Sequence, residues 1–190
     1  MNISKFVAPE IIFGLGSLSQ LGESVIRIGA SKVFLVSDAG VIKAGWVDQA
    51  VHYLHAAGLE TEIFSALTSN PKDFEVMDGV RRYQESGCDG IVAVGGGSPT
   101  DVAKAIAILA SNGGVLQNYE GINKISRPLP PMVIAPSTSG SGSEVSQFAI
   151  IVDTTRKLKM SIISKSLVPD IAIVDPELGN TKGDVAALLL

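Results

Sequence analysis

The chain has one cysteine and two histidines in 190 residues. A single thiol, Cys88, excludes an internal disulfide framework and a thiolate zinc site, and it reads as an inert, buried side chain. Charged residues are sparse, at 18%, and the formal net charge is -4. No basic field therefore exists to gather nucleic acid or an anionic membrane surface. No apolar run approaches the roughly 18 residues of a membrane span. The opening Met1-Asn2-Ile3-Ser4-Lys5 lacks the apolar stretch of a signal peptide. These shortages point to the reducing cytoplasm. Apolar residues are abundant, at 46%, which is too many for disorder and enough for a well-buried core. The length suits one domain or slightly more.

Short β-rich runs alternate with longer helical patterns. The runs are 32–36, 61–64, 91–94, 132–135 and 171–174. All but the second are almost continuously apolar, as strands covered on both faces of a parallel sheet are. Helical patterns lie between them. Ser17 to Ile28 carries a stripe of Leu18, Leu21, Val25 and Ile28. Ala39 to Ala57 ends at Gly58, Asp73 to Ser86 ends near Gly87, and Pro99 to Ser111 ends at Asn112-Gly113-Gly114. On the third helix the spacing of Phe74, Met77, Val80 and Tyr83 predicts one apolar face. This alternation predicts a doubly wound α/β domain with a mainly parallel, Rossmann-like sheet, which binds ligands beyond the carboxyl ends of its strands. Two elaborations are expected: an N-terminal strand pair, Ile3 to Val7 with Ile11 to Phe13, and an inserted β-hairpin, Val145 to Val152 with Leu158 to Ile163.

Three loops at strand ends carry chemistry. Gly95-Gly96-Gly97-Ser98-Pro99-Thr100-Asp101 follows one buried run and opens a helix. Three residues without a Cβ admit a ligand close to the backbone. Ser98 suits the N-cap, Pro99 suits N1, and Asp101 would complete a capping box at N3. The helix start then offers free N–H groups to a pyrophosphate. A tight turn without a ligand is the plainer reading, but three glycines cost entropy that a simple turn does not need. The loop is not a Walker A loop, because no Gly-Lys-Ser/Thr closes it. The earlier Gly14-Leu15-Gly16-Ser17-Leu18-Ser19 lacks a third glycine and reads as a turn. Asp38 ends the first buried run. It suits either a hydrogen bond to an adenosine ribose, which would favour NAD over NADP, or the N-cap of the next helix. Pro136-Ser137-Thr138-Ser139-Gly140-Ser141-Gly142-Ser143-Glu144 supplies hydroxyls at a third strand end, suited to ribose hydroxyls and a carboxamide. Its alternative is a flexible linker, against which the apolar flanks argue.

Taken together, these stretches resemble the iron-containing (group III) alcohol dehydrogenase family. The resemblance rests on Phe13-Gly14-Leu15-Gly16, Val36-Ser37-Asp38, Gly95-Gly96-Gly97-Ser98 with Asp101 and Lys104, Ala135-Pro136-Ser137-Thr138 leading to Gly140-Ser141-Gly142-Ser143-Glu144-Val145, and Pro169 to Leu178. It spans roughly Ile3 to Leu178. The glycine loop is shared with glycerol dehydrogenases and dehydroquinate synthases, whereas Gly-Ser-Gly-Ser-Glu is more specific to the alcohol dehydrogenases. The resemblance implies that Asp38 contacts the adenosine ribose and disfavours NADP. It implies that Gly95, Gly96, Gly97 and Ser98 hold the pyrophosphate, with Asp101 near the nicotinamide. It also implies that Thr138, Ser139 and Ser141 contact the cofactor, that Lys159 reaches its ribose from the hairpin, and that Leu178 packs beside the adenine. Where the family usually has Thr, this chain has Ser139 and Ser141, which keep the hydroxyl.

Members of that family are about twice this long, and their second half is a helical domain whose Asp and three His bind iron or zinc. The expectation is therefore a dinucleotide-binding domain over residues 1–178, with an aberrant tail over 179–190 and no metal ligands or catalytic residues in this chain. A natural truncation, a shifted reading frame or an isolated domain would each produce it. His52 and His55 stand i, i+3 on a helix and read as a solvent-facing pair rather than metal ligands. In the family the metal polarises the alcohol oxygen so that hydride passes to NAD. The implied activity is an NAD-dependent oxidoreductase interconverting a short-chain alcohol or diol and its aldehyde, here as the cofactor-binding half and by itself inactive. A nucleotide-binding domain without catalysis, or a glycerol-dehydrogenase-like relative, are the alternatives. The family's N-terminal strand often pairs across a dimer, which makes Ile3 to Val7 an expected interface of a homo-oligomer.

Overall fold

The computed structural model describes residues 7–179. In chain order its strands are β1 (Glu10–Phe13), β2 (Lys32–Val36), β3 (Glu60–Phe64), β4 (Gly90–Gly95), β5 (Gly121–Ile122), β6 (Met132–Pro136), β7 (Phe148–Asp153), β8 (Leu158–Ile163) and β9 (Ile171–Val174). Its α-helices are α1 (Leu21–Arg27), α2 (Ala39–Lys43), α3 (Trp46–Ala56), α4 (Asp73–Ser86) and α5 (Gly97–Asn112). Six strands form one sheet in the order β1-β9-β6-β4-β2-β3, and β5-β8-β7 form a second. Every pairing in the larger sheet is parallel.

The continuous apolar runs are explained by two cores, one on each face of this sheet. Phe34, Val36, Ile91, Ala93, Met132 and Ile134 point into one, against α4, α5 and the small sheet. Val33, Leu35, Val92, Val94, Val133 and Ala135 point into the other, with Leu21, Leu54 and Ile173. Each fully buried aliphatic side chain contributes about 1.5–3 kcal/mol, so successive residues of one strand stabilise opposite layers. The strand order reverses between β2 and β4. From β2 the chain crosses outward to β3, then returns past β2 to β4 and continues through β6 to β9. Such a reversal opens a crevice at the carboxyl ends of the two strands.

Several expectations are corrected. Of the expected N-terminal strand pair, the second member is β1, which joins the main sheet parallel to β9, with Ile12 opposite Ile173. Ile3 to Phe6, with the dimer contact expected there, lies outside the described residues. The helix from Ala39 to Ala57 is two helices, because Gly45 adopts φ 84°, a left-handed conformation that interrupts helical bonding. The helix expected from Ser17 starts as a 3-10 turn, Ser17–Gln20, and becomes α-helical at Leu21. The hairpin begins at Phe148 rather than Val145, and β5 extends it to three strands. On α4 the buried face is Val76, Gly79, Val80 and Tyr83, while Phe74 and Met77 are exposed.

Candidate cofactor site

Gly95 closes β4 at φ 151°, and a Cβ added there would lie 2.7 Å from Pro99 Cγ. Only glycine fits this close, left-handed turn. Gly96 is the N-cap of α5, with φ -80° and ψ -157°, and no side chain caps the helix. Ser98 is therefore not the cap expected from the sequence. The helix begins at Gly97, Pro99 falls at N3, and Asp101 lies in the second turn rather than in a capping box. The shift leaves more backbone open. The N–H groups of Gly97 and Ser98 have no intrahelical acceptor, and Pro99 has none to offer. Thr100 turns inward, its hydroxyl donating to the Gly96 carbonyl at 3.0 Å.

Two bonds fix the neighbouring strand ends. Ser37 Oγ donates to the Val94 carbonyl at 2.7 Å, and Ser137 N–H donates to the Gly95 carbonyl at 2.9 Å. Beside them Asp38 Oδ1 accepts the N–H groups of Gly40 (2.8 Å) and Val41 (3.0 Å), which caps α2. The capping role open from the sequence is therefore filled by one oxygen. The other, Oδ2, lies 3.6 Å from where a Cβ on Gly95 would stand.

A cleft of about 980 Å³ opens over the strand reversal. Asp38, Lys43, Gly96, Gly97, Ser98, Thr138 and Ser139 line it. A smaller hollow of about 290 Å³ adjoins it, sharing Gly97 and Ser98 and lined also by Asp101, Ser141, Ile150 and Lys159. The start of α5 thus borders both spaces. Nine of the residues expected from the sequence come together here. Gly95 and Leu178 do not: both are buried, and Gly179, next to Leu178, lines the cleft in its place. Sequence reading missed Lys43 and the apolar Ile150 wall, because each reaches the site from an element whose tilt no local pattern encodes.

Burial pushes the Asp101 carboxyl up to about 6, against the opposing pull of Lys104 and the Ile150 N–H. Burial likewise lowers Lys104 to about 8, while Asp101 and Glu144 favour its charge. Lys104 is fully buried, and its ammonium donates to the carbonyls of Ser143 (2.7 Å), Ser146 (2.8 Å) and Phe148 (3.1 Å).

The earlier glycine stretch has a different fate. Gly16 N–H and Leu18 N–H donate to the two carboxylate oxygens of buried Asp175, at 3.1 and 3.0 Å. A protein carboxylate occupies the donors that a phosphate would need, so this loop is a structural turn. His52 and His55 are exposed on α3, as their spacing suggested. Among the described residues no three His, Cys, Asp or Glu side chains gather to hold a metal ion, and no helix is long and apolar enough to cross a membrane.

A parallel sheet, a glycine turn opening a helix and a cleft at the strand reversal define a Rossmann-like α/β domain. The chain belongs to the iron-containing alcohol dehydrogenase family, whose sequence profile matches residues 8–176. It is 38% identical over 173 residues to the NAD-dependent methanol dehydrogenase of Bacillus methanolicus, covering 91% of this chain and 45% of that protein. It is 41% identical over 176 residues to the 1,3-propanediol dehydrogenase of Klebsiella pneumoniae, covering 91% and 46%. The crystal structure of a 1,3-propanediol oxidoreductase superposes with a TM-score of 0.90 at 40% identity, over 93% of this chain and 47% of that one. The chain thus spans about half the length of the relatives it matches.

Proposed function

We propose that residues 1–178 form the dinucleotide-binding domain of an NAD-dependent alcohol dehydrogenase acting on a short-chain alcohol or diol. One observation carries this reading: one cleft at the strand reversal is lined by both the Asp38 carboxylate and the open N–H groups of Gly97 and Ser98. The residues fit the cofactor. The N–H pair and the partial positive charge of α5 suit a pyrophosphate. Asp38 Oδ2 suits an adenosine ribose, and Thr138, whose hydroxyl stands beside Gly96, and Ser139 offer hydroxyls to the same cleft. Asp101, Ser141 and Lys159 meet the nicotinamide half in the adjoining hollow, where Ile150 gives its ring an apolar face. Gly95 and Leu178 support these walls from behind. When bound, the nicotinamide ring accepts or returns the hydride.

Gly97 gives the direct test. A Cβ there would lie 3.5 Å from Ser143 Oγ and 3.7 Å from Ser141 Cβ, ordinary contacts for a first side-chain carbon. A larger side chain would still fill the space above the helix start. Gly97→Val should weaken NAD binding by at least tenfold in calorimetric titration, about 1.4 kcal/mol. Unchanged affinity overturns the site.

By itself this chain is proposed to bind cofactor without turnover, since its two histidines stand on α3 and do not line the cleft. Iron or zinc would be held by the family's second half. Purified chain mixed with NAD, a primary alcohol and added iron or zinc should release no NADH, and turnover would overturn this reading. The working enzyme is proposed to be a cytoplasmic homo-oligomer, a dimer or higher. A single buried thiol supports the reducing compartment, and light scattering tests the assembly.

A further inference from the structure

Lysine is almost never fully buried unless its charge is used. Lys104 is fully buried on the second turn of α5, and its ammonium meets three carbonyls of one loop, Ser143, Ser146 and Phe148. Ser146 Oγ stands at 3.3 Å. The loop has little else to hold it. Among the described residues, the other hydrogen bonds of 138–146 reach no further than three residues along the chain, such as Val145 N–H to the Gly142 carbonyl at 3.2 Å. Gly140 and Gly142 adopt φ 97° and 60° and add backbone freedom of their own. Yet this loop carries Thr138, Ser139 and Ser141 to the two spaces described above.

We infer that Lys104 is a positioning residue for the cofactor site: its ammonium group holds the serine-glycine loop against the glycine turn, and the site keeps its shape only while all three protons are present. This rests on the cofactor reading above. The charge balance is local. Asp101 on α5 and Glu144 on the loop face the ammonium, and β7 presents only the Phe148 carbonyl. An ammonium has three donors for three carbonyls, whereas a neutral amine has two. Raising the pH through about 8 therefore releases one carbonyl.

Global stability moves the other way. The folded pKa lies below the ordinary value of 10.5, so between these two values the unfolded chain binds more protons and the fold gains stability as pH rises. Loss of the loop and loss of the fold are thus separable by pH.

The test is calorimetric titration of the full chain with NAD at about pH 7 and about pH 9, with hydrogen exchange of residues 138–146 followed in parallel. Wild-type affinity should fall about tenfold at the higher pH, the worth of one charge-assisted bond, while circular dichroism stays native. Lys104→Met should bind about tenfold more weakly at pH 7 and lose the pH dependence. Lys104→Arg, charged at both values, should bind independently of pH. Should Lys104→Met fail to fold, the wild-type pH series decides alone. Equal wild-type affinity at the two pH values, with unchanged loop protection, overturns the inference. No NAD binding at any pH would sink the cofactor reading instead, and loop protection that drops between pH 7 and 9 would still support the anchor.

Discussion

Asp38 divides its carboxylate between two tasks, and substitution can separate them. Oδ1 takes both cap bonds of α2, and Oδ2 faces the glycine turn. Asparagine caps helices as well as aspartate does but carries no charge to repel a ribose 2′-phosphate. Asp38→Asn should leave urea unfolding nearly unchanged and narrow the preference for NAD over NADP in titrations. Asp38→Ala should narrow it likewise and also cost about 1 kcal/mol of stability through the lost cap. Equal affinity of the wild type for NAD and NADP would refute the proposed discrimination. At this scale the residue types were legible before the structure, but their roles shifted by a position or two. Ser98 looked like a cap because serine caps helices well. The glycine before Gly97 took the cap instead, since extended backbone at Gly96 lets the helix start earlier.

Elements were readable where one physical cause acted alone. The parallel strands follow from burial on both faces. The limits of α4 follow from Gly87 at φ 67° and from Glu75 accepting the Lys72 N–H at 2.8 Å. Its buried face was misread because residues spaced by three drift about 60° around a helix at each step. Phe74 and Tyr83 therefore end on opposite sides. A missing side chain, by contrast, explains why α1 and α3 pack closely. A Cβ on Gly22 would lie 2.5 Å from Ala57 Cβ and 2.7 Å from the Tyr53 carbonyl oxygen. Gly22→Val must push the two helices apart, and denaturant unfolding should show a loss of about 1–3 kcal/mol. No local pattern announces such a contact, because Gly22 lies 31 residues from Tyr53 and 35 from Ala57. The hairpin makes a pH prediction. Asp153 sits at 1% exposure, and its pKa is lowered to about 2, first by the Arg156 N–H and then by the Arg156 side chain. A depressed folded pKa contributes stability above the ordinary value of 3.8, and that stability is lost as pH falls toward 2. Protection factors for hydrogen exchange in β7 and β8 should fall across this window in the wild type. In Asp153→Asn protection should already be low at neutral pH, with little further change.

Across the whole molecule, the proposed cofactor would touch elements drawn from separate parts of the chain. The cleft is walled by α2, the start of α5 and the loop after β6, which belong to three different strand-helix units. A ligand spanning them binds the folded chain and not the unfolded one, so its affinity adds to the stability of the entire domain by RT ln(1 + [L]/Kd), about 2.7 kcal/mol at a hundredfold excess over Kd. For a domain of this size each kcal/mol moves the midpoint by about 2–4 °C. Saturating NAD should therefore raise Tm by roughly 5–10 °C in a thermal melt. NADP at the same concentration should raise it much less, because Asp38 would face the 2′-phosphate. Adenosine alone should act weakly, since it lacks the diphosphate that the Gly97 and Ser98 N–H groups would receive. A melt in which NAD and adenosine shift Tm equally would show that the start of α5 contributes nothing to binding, and with it the central feature of the proposed site would fall.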